Sequence, residues 1–65
     1  EKKIIKSLFE NQGEILQSDL PELTGFSRVK ISRTIKDLEI KEVITKEKRG
    51  MTNLISLKEE FRVFL

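Results

Sequence analysis

Residues 18–41 read SDLPELTGFSRVKISRTIKDLEIK, and the glycine in their middle divides two helix signals. The first helix is short: Ser18 is predicted to cap its N-terminus and Gly25 to end it, because glycine adopts the left-handed conformation at helix ends without steric cost. The second helix is predicted to begin at its cap, Ser27, and to extend to residue 41. Only a tight turn separates the two helices.

The longer helix separates an apolar face from a cationic one. At about 100° per residue, Ile31, Ile35 and Leu38 lie within ~60° of one another and form the stripe that we expect to be buried. No acid occurs in residues 28–36, which place four cations outside that stripe: Arg28, Lys30, Arg33 and Lys36. The first two lie at the positive end of the helix dipole, where cations are unfavourable. The pattern therefore indicates an anionic partner.

The charge of the chain is segregated. Residues 28–36 carry +4 and residues 46–49, KEKR, carry +2, so the other 52 of the 65 residues sum to −4 although the net charge is +2. Clustered cations are typical of a polyanion binder. The alternative is a solvated face in which Arg33 pairs with Asp37, and Asp37 with Lys41; such pairs contribute only about 0.2–0.5 kcal/mol each.

The flanking segments predict further elements. KKIIKSLFEN, residues 2–11, has the apolar spacing of a helix that ends near Gly13. EILQ, residues 14–17, is either a brief strand or an extended connector. The runs VITKEK and TNLISL are rich in β-formers and predict a hairpin around Gly50.

Other apolar side chains are expected to complete the core. Leu20 and Leu23 of the short helix should point inward, and Ile55 and Leu57 share one strand face by the period of two. The C-terminal segment KEEFRVFL predicts one or two helical turns. Its apolar residues should pack on the first helix or, with Ile40, form a dimer or interdomain surface: Phe61, Phe64 and Leu65.

The predicted fold is α+β, mainly α with a small β-hairpin. A three-helix core carries a two-stranded wing, and the two helices joined by a Gly-containing turn match the helix-turn-helix motif. At this length, residues 1–65 form a single domain. The chain begins with glutamate, so we expect a domain excised from a longer protein.

Residues 16–57 resemble the winged helix-turn-helix domains of MarR-like transcription regulators and are similar to archaeal regulators with a C-terminal domain of this kind. The wing RGMTN, residues 49–53, resembles the Arg-Gly-x-Thr-Asn of that family. Two positions depart from the pattern. Pro21 stands where the family usually has a small helix former, and Glu42 stands where the family often has glycine. The other matching positions are Leu20, Gly25, Phe26, Ser27, Ile31, Ser32, Arg33, Leu38, Glu39, Val43 and Ile44.

The resemblance implies sequence-specific binding of double-stranded DNA by a transcription regulator. The helix over residues 27–41 would lie in the major groove, and the wing, residues 45–53, on the backbone or in the minor groove. Such proteins usually act as dimers on palindromic sites, so a homodimer is expected. The expected DNA contacts are Ser27, Arg28, Val29, Lys30, Ser32, Arg33, Lys36, Lys46, Lys48 and Arg49.

These residues have different predicted roles. Arg33 points away from the core and is expected to read a guanine edge, and Arg49 is the expected leading contact at the wing tip. Ser32 either bonds DNA or is a small residue at a helix crossing. Val29 either contacts a thymine methyl group or is an ordinary exposed valine. Ser27 is first a cap, whose neighbouring N–H groups could also hold a phosphate.

The composition argues against several other classes. The chain has no Cys or His, and hence neither disulfides nor the usual zinc ligands, and no glycine-rich phosphate loop, so no enzyme activity or cofactor is expected. No apolar run approaches the roughly 20 residues that span a bilayer. A cytoplasmic location without membrane contact is expected. The alternatives are a protein-interaction winged-helix domain in a larger replication or transcription assembly, and a sensor or membrane-linked regulator whose other half lies outside this chain.

Overall fold

The structure, a computed structural model, describes residues 1–63 and has an α+β fold, as predicted. Phe64 and Leu65, for which packing was predicted, lie outside the described residues. The elements of the structure are α1 (Lys2–Glu10), β1 (Glu14–Leu16), a 3₁₀ turn (Gln17–Asp19), α2 (Leu20–Thr24), α3 (Arg28–Ile40), β2 (Ile44–Arg49), β3 (Thr52–Leu57) and α4 (Glu59–Arg62).

The sheet has three antiparallel strands in the order β1-β3-β2. The hairpin β2–β3 closes through Gly50 and Met51, and on its other side β3 pairs with β1, where Ile15 lies opposite Ile55. The predicted two-stranded sheet was therefore wrong in strand number. The segment EIL is a strand because pairing with β3 satisfies its backbone groups and at the same time places Ile15 in the core.

One hydrophobic core joins the helices to the sheet. The predicted stripe of α3 is confirmed, because Ile31, Ile35 and Leu38 are each only 1% exposed. Phe61 of α4 packs against this core from its edge. The buried hydrophobic residues are Ile4, Leu8, Ile15, Leu20, Ile31, Ile35, Leu38, Ile44, Ile55 and Leu57.

Helix α2 buries one leucine and not two. Leu20 is fully buried, but Leu23 is 52% exposed, so the prediction that Leu23 points inward was wrong. The inner position four residues after Leu20 belongs to Thr24. The Thr24 hydroxyl donates to the Leu20 carbonyl at 2.7 Å and accepts the Phe26 N–H at 3.1 Å, which satisfies this buried polar group.

The two predicted serine caps have different outcomes. Ser27 caps α3 as predicted, because its Oγ accepts the Lys30 N–H at 3.1 Å. The prediction for Ser18 was wrong: it lies in the 3₁₀ turn, and α2 begins after Asp19 without a side-chain cap. The Ser18 N–H instead donates to Thr52 Oγ1 at 3.0 Å, so this residue serves a tertiary contact.

Glu42 follows α3 with a φ of 60°, in the left-handed region where a Cβ costs roughly 1–2 kcal/mol. We expect Glu42→Gly to be more stable than Glu42→Ala by about 1 kcal/mol. Both variants lose the same exposed ion pair with Lys58, 3.8 Å long, and differ only in the Cβ. Urea unfolding measures the difference, and equal free energies of unfolding would show that this backbone is not strained.

Candidate nucleic-acid interface

The outer face of α3 is open to solvent along its length. Val29 is 61% exposed and Ile40 71% exposed, so no apolar neighbour among residues 1–63 covers either end of the helix. The seven predicted contacts that belong to α3 or its cap are all exposed: Ser27, Arg28, Val29, Lys30, Ser32, Arg33 and Lys36.

The cations on this face do not pair with the domain's own acids. Among residues 1–63, no carboxylate oxygen lies within 4.0 Å of the charged nitrogens of four side chains: Arg28, Lys30, Arg33 and Lys36. The alternative of a self-paired face predicted that Arg33 would pair with Asp37, and no such pair occurs. Five other cations do pair with acids: Lys41, Lys46, Arg49, Lys58 and Arg62.

Lys41, which directly follows the last residue of α3, is directed away from this face. Its ammonium bonds both carboxylate oxygens of Glu1, at 2.7 and 2.9 Å. This hydrogen bond raises the pKa of Lys41 and lowers the pKa of Glu1, and the nearby charge of Asp37 adds a smaller upward effect on Lys41. Lys41 therefore joins α3 to the start of α1.

Arg28 and Lys30 lie on opposite flanks of α3. Two residues of helix place them about 160° apart. The Lys30 ammonium lies 4.1 Å from the centroid of the Phe26 ring, and Lys3 of α1 reaches the same ring at 5.3 Å. Such cation–π contacts hold an ammonium in place while leaving it exposed. Lys3, which the sequence analysis did not identify, thereby extends the cationic face to α1.

The pleat of the hairpin separates its three predicted contacts. Side chains alternate between the two faces along β2. Lys46 and Lys48 are therefore on the same face as Ile44, and Ile44 is buried in the core. Lys46 lies 3.6 Å from Glu39 of α3. Arg49, by the same alternation, lies on the other face.

Lys48 and Arg49, the two cations of β2 nearest the turn, also differ in their partners. Arg49 pairs with Glu47 of its own strand at 3.3 Å. Lys48 lies opposite Asn53 on β3 and has no carboxylate within 4.0 Å in the described part of the chain. Of the hairpin cations, Lys48 is therefore the one available to an external anion on the α3 side.

A groove of about 370 Å³ separates the start of α3 from the hairpin. Arg28 and Ser32 line its helical side, and Thr52 and Asn53 its strand side. Gln17 lies between them: it accepts a hydrogen bond from Asn53 Nδ2 at 3.0 Å and donates from Nε2 to Ser32 Oγ at 3.5 Å. A chain of polar side chains thus crosses from the hairpin to α3.

The sequence analysis missed Thr52 and Asn53 as site residues. Both belong to the wing motif RGMTN, which was the only signal that pointed to them. Their partners in the 3₁₀ turn are 34 and 36 residues away, and no periodic pattern in a sequence reports contacts at such separations.

Over residues 1–63, no group of three or more acidic side chains is arranged to hold a metal ion. Within the same range, no helix combines the length and apolar character needed to cross a membrane.

The chain matches a known protein family. The family described as "Domain of unknown function (DUF7343)" matches residues 1–58. The chain belongs to this family. The match extends over α1, α2, α3 and all three strands and ends before α4, so the groove beside α3 in this DUF7343 domain lies entirely within it.

Three archaeal proteins, all uncharacterized, are similar to this DUF7343 domain. It is 38% identical to a protein of Pyrococcus abyssi over 61 residues, 37% to one of Pyrococcus horikoshii over 60 residues, and 42% to one of Methanocaldococcus jannaschii over 65 residues. These alignments cover 94%, 92% and 100% of the chain, but only 18%, 18% and 14% of the relatives. The chain thus spans less than a fifth of each relative's length. No solved structure matches it.

Arg28 is the first residue of α3, and no acid occupies the first turn of this helix. In the isolated DUF7343 domain, Arg28→Glu is expected to raise the free energy of unfolding by about 0.3–1 kcal/mol at low ionic strength, because the helix dipole favours an anion there. The same exchange at Arg33, in the second turn, is the matched control and should give no gain. Urea unfolding at low and high salt is the measurement. A loss of stability in Arg28→Glu would identify Arg28 as a structural residue.

Proposed function

We propose that this domain is a winged helix-turn-helix module that binds double-stranded DNA in a cytoplasmic transcription regulator. One observation carries the proposal: four cations on the exposed face of α3 have no acidic partner among the described residues. Five cations elsewhere pair with acids, whereas these four share one exposed helix face and none of them does. An external polyanion would neutralise this group of charges.

The position of two of these cations strengthens the argument. Arg28 and Lys30 lie in the first turn of α3, where their charge opposes the helix dipole. The exposed N–H groups of a helix start favour anions, and cations around them increase the attraction. The contact of Lys30 with the Phe26 ring offsets part of this cost in the free domain, and binding to phosphates would give a reason for both cations.

The dimensions of α3 suit the major groove of DNA. Its 13 residues extend about 20 Å, and the groove is about 12 Å wide and admits one helix. Arg33 lies near the middle of the outer face, where we place bidentate contact with a guanine edge. Val29, beside it, would contact a thymine methyl group, and Lys36 would contact a phosphate.

The residues beside α3 would then meet the backbone on both sides of the groove. On one side, Arg28 and Ser32 face the hairpin β2–β3, whose Lys48 would contact a phosphate as the wing; Lys46 would do so only by leaving Glu39. On the other side, the ammonium groups of Lys30 and Lys3 lie over the Phe26 ring. Phosphate contacts of this kind supply affinity without sequence preference, and α3 supplies the preference.

We further propose that the regulator acts as a homodimer on palindromic sites. The support is the resemblance alone. Because the chain spans less than a fifth of its relatives, the dimer contacts are expected to involve other parts of the whole protein.

Binding to duplex DNA should weaken steeply with salt, with a slope of log K against log salt of about −0.9 for each phosphate neutralised. Lys48→Gln is expected to weaken all sequences alike and to reduce the magnitude of this slope by about 1. Fluorescence anisotropy with a labelled duplex, over a series of salt concentrations, measures both quantities.

Lys58→Gln is the matched control, because Lys58 already pairs with Glu42 and follows the end of β3 remote from the turn. It should leave the slope unchanged. Affinity that is independent of salt would refute the electrostatic basis of the proposal. If the domain binds no duplex DNA and instead binds another protein, this result would favour the protein-interaction alternative.

Arg33→Ala should relax the preference at one base pair of the binding site, since a bidentate contact to guanine is worth roughly 1–3 kcal/mol of discrimination. Arg33→Lys is the informative companion: it keeps the charge but loses the planar fork, so it should keep the salt slope and still lose the preference. Selection of binding sites from a random duplex library gives the measurement. An unchanged site preference in both variants would remove Arg33 from base recognition.

A further inference from the structure

We propose that Gln17 is a positioning residue, which holds the hairpin β2–β3 at a set distance from α3 and orients the Ser32 hydroxyl toward DNA. This inference rests on the proposed DNA-binding function. It adds a residue that acts through its neighbours and needs no contact with DNA.

The contacts of Gln17 join three segments that are remote in sequence. Its Oε1 accepts from Asn53 Nδ2, 36 residues away, and its Nε2 donates to Ser32 Oγ, 15 residues away. The next N–H in the chain, from Ser18, donates to Thr52 Oγ1 at 3.0 Å across 34 residues. The 3₁₀ turn thus makes side-chain contacts to both walls of the groove.

The position of these bonds explains why they matter for the hairpin. Backbone pairing between β1 and β3 ends at Leu16 and Leu54. Thr52 and Asn53 lie beyond that point, where the hairpin continues without a strand on this side. The bonds to Gln17 and Ser18 therefore continue the attachment of β3 by side chains, nearer to the turn of the hairpin and to Lys48, which lies opposite Asn53.

The same bonds determine what Ser32 can offer to a ligand. A serine hydroxyl has one hydrogen to donate and can accept two. Because Ser32 Oγ accepts from the Gln17 amide, its own hydrogen is available for an acceptor outside the domain. A phosphate oxygen or a base acceptor on DNA is such a group.

Gln17→Met tests the positioning role, because it retains the length of the side chain and removes both hydrogen bonds without changing charge. We expect affinity for the preferred duplex to fall roughly tenfold, the equivalent of one or two hydrogen bonds. The salt slope should stay unchanged, in contrast to Lys48→Gln. Exchange of the Ser18 amide hydrogen should accelerate in the variant without DNA, and thermal unfolding shows whether the variant is folded.

Gln17→Glu separates the two parts of the proposal. Its carboxylate can still accept from Asn53 but cannot donate, so the Ser32 hydroxyl hydrogen should turn inward and be lost to DNA. Its effect on site preference should disappear in a Ser32→Ala background, because the two residues then act as one unit. The added charge alone would weaken all sequences equally in both backgrounds.

The outcomes distinguish this inference from the function on which it rests. Wild-type domain that does not bind duplex DNA would overturn both. Normal binding by the wild type, with the affinity of folded Gln17→Met unchanged or with effects of Gln17 and Ser32 that simply add, would overturn the positioning role alone.

Discussion

The burial of Ile31, Ile35 and Leu38 determines how α3 is rotated about its axis, and the positions of its cations follow from that rotation. Each of the three is 1% exposed and packs into the single core that also receives α1 and the sheet. A rotation that brought Arg33 inward would bury an unpaired charge, which is far costlier than losing a few contacts. The direction of the cationic face is therefore set by packing, whatever its function.

Apart from the contact of Lys30 with the Phe26 ring, ion pairing within the described residues does not hold this cationic face in place. Exposed ion pairs contribute little, so five such pairs elsewhere do not explain the fold, but they show where the acids lie. None of these acids approaches the four cations of α3 within the described residues. If the proposed function is correct, these charges, two of which lie against the helix dipole, exchange a small amount of stability for binding, a common relation between stability and function.

The 3₁₀ turn Gln17–Asp19 connects the two parts of the surface. One of its residues bonds the hairpin through the backbone, and another bonds both the hairpin and α3 through its side chain. Ser18 does not cap α2 because it lies inside this turn, and the position directly before the helix belongs to Asp19. The short α2 is held instead by Leu20 in the core and by the hydrogen bonds of Thr24.

Local patterns in the chain were sufficient to predict α3, its Ser27 cap, its buried stripe and its exposed cations, because period, capping and the glycine at Gly25 act within a few residues. The hairpin followed from strand propensity around Gly50. The sequence left β1 open between a strand and a connector, and its pairing with β3, the exposed Leu23 and the Gln17 contacts could not be predicted in this way. Each depends on which remote segment, 15 to 36 residues away for Gln17, occupies the neighbouring space, and only the folded chain brings those segments together.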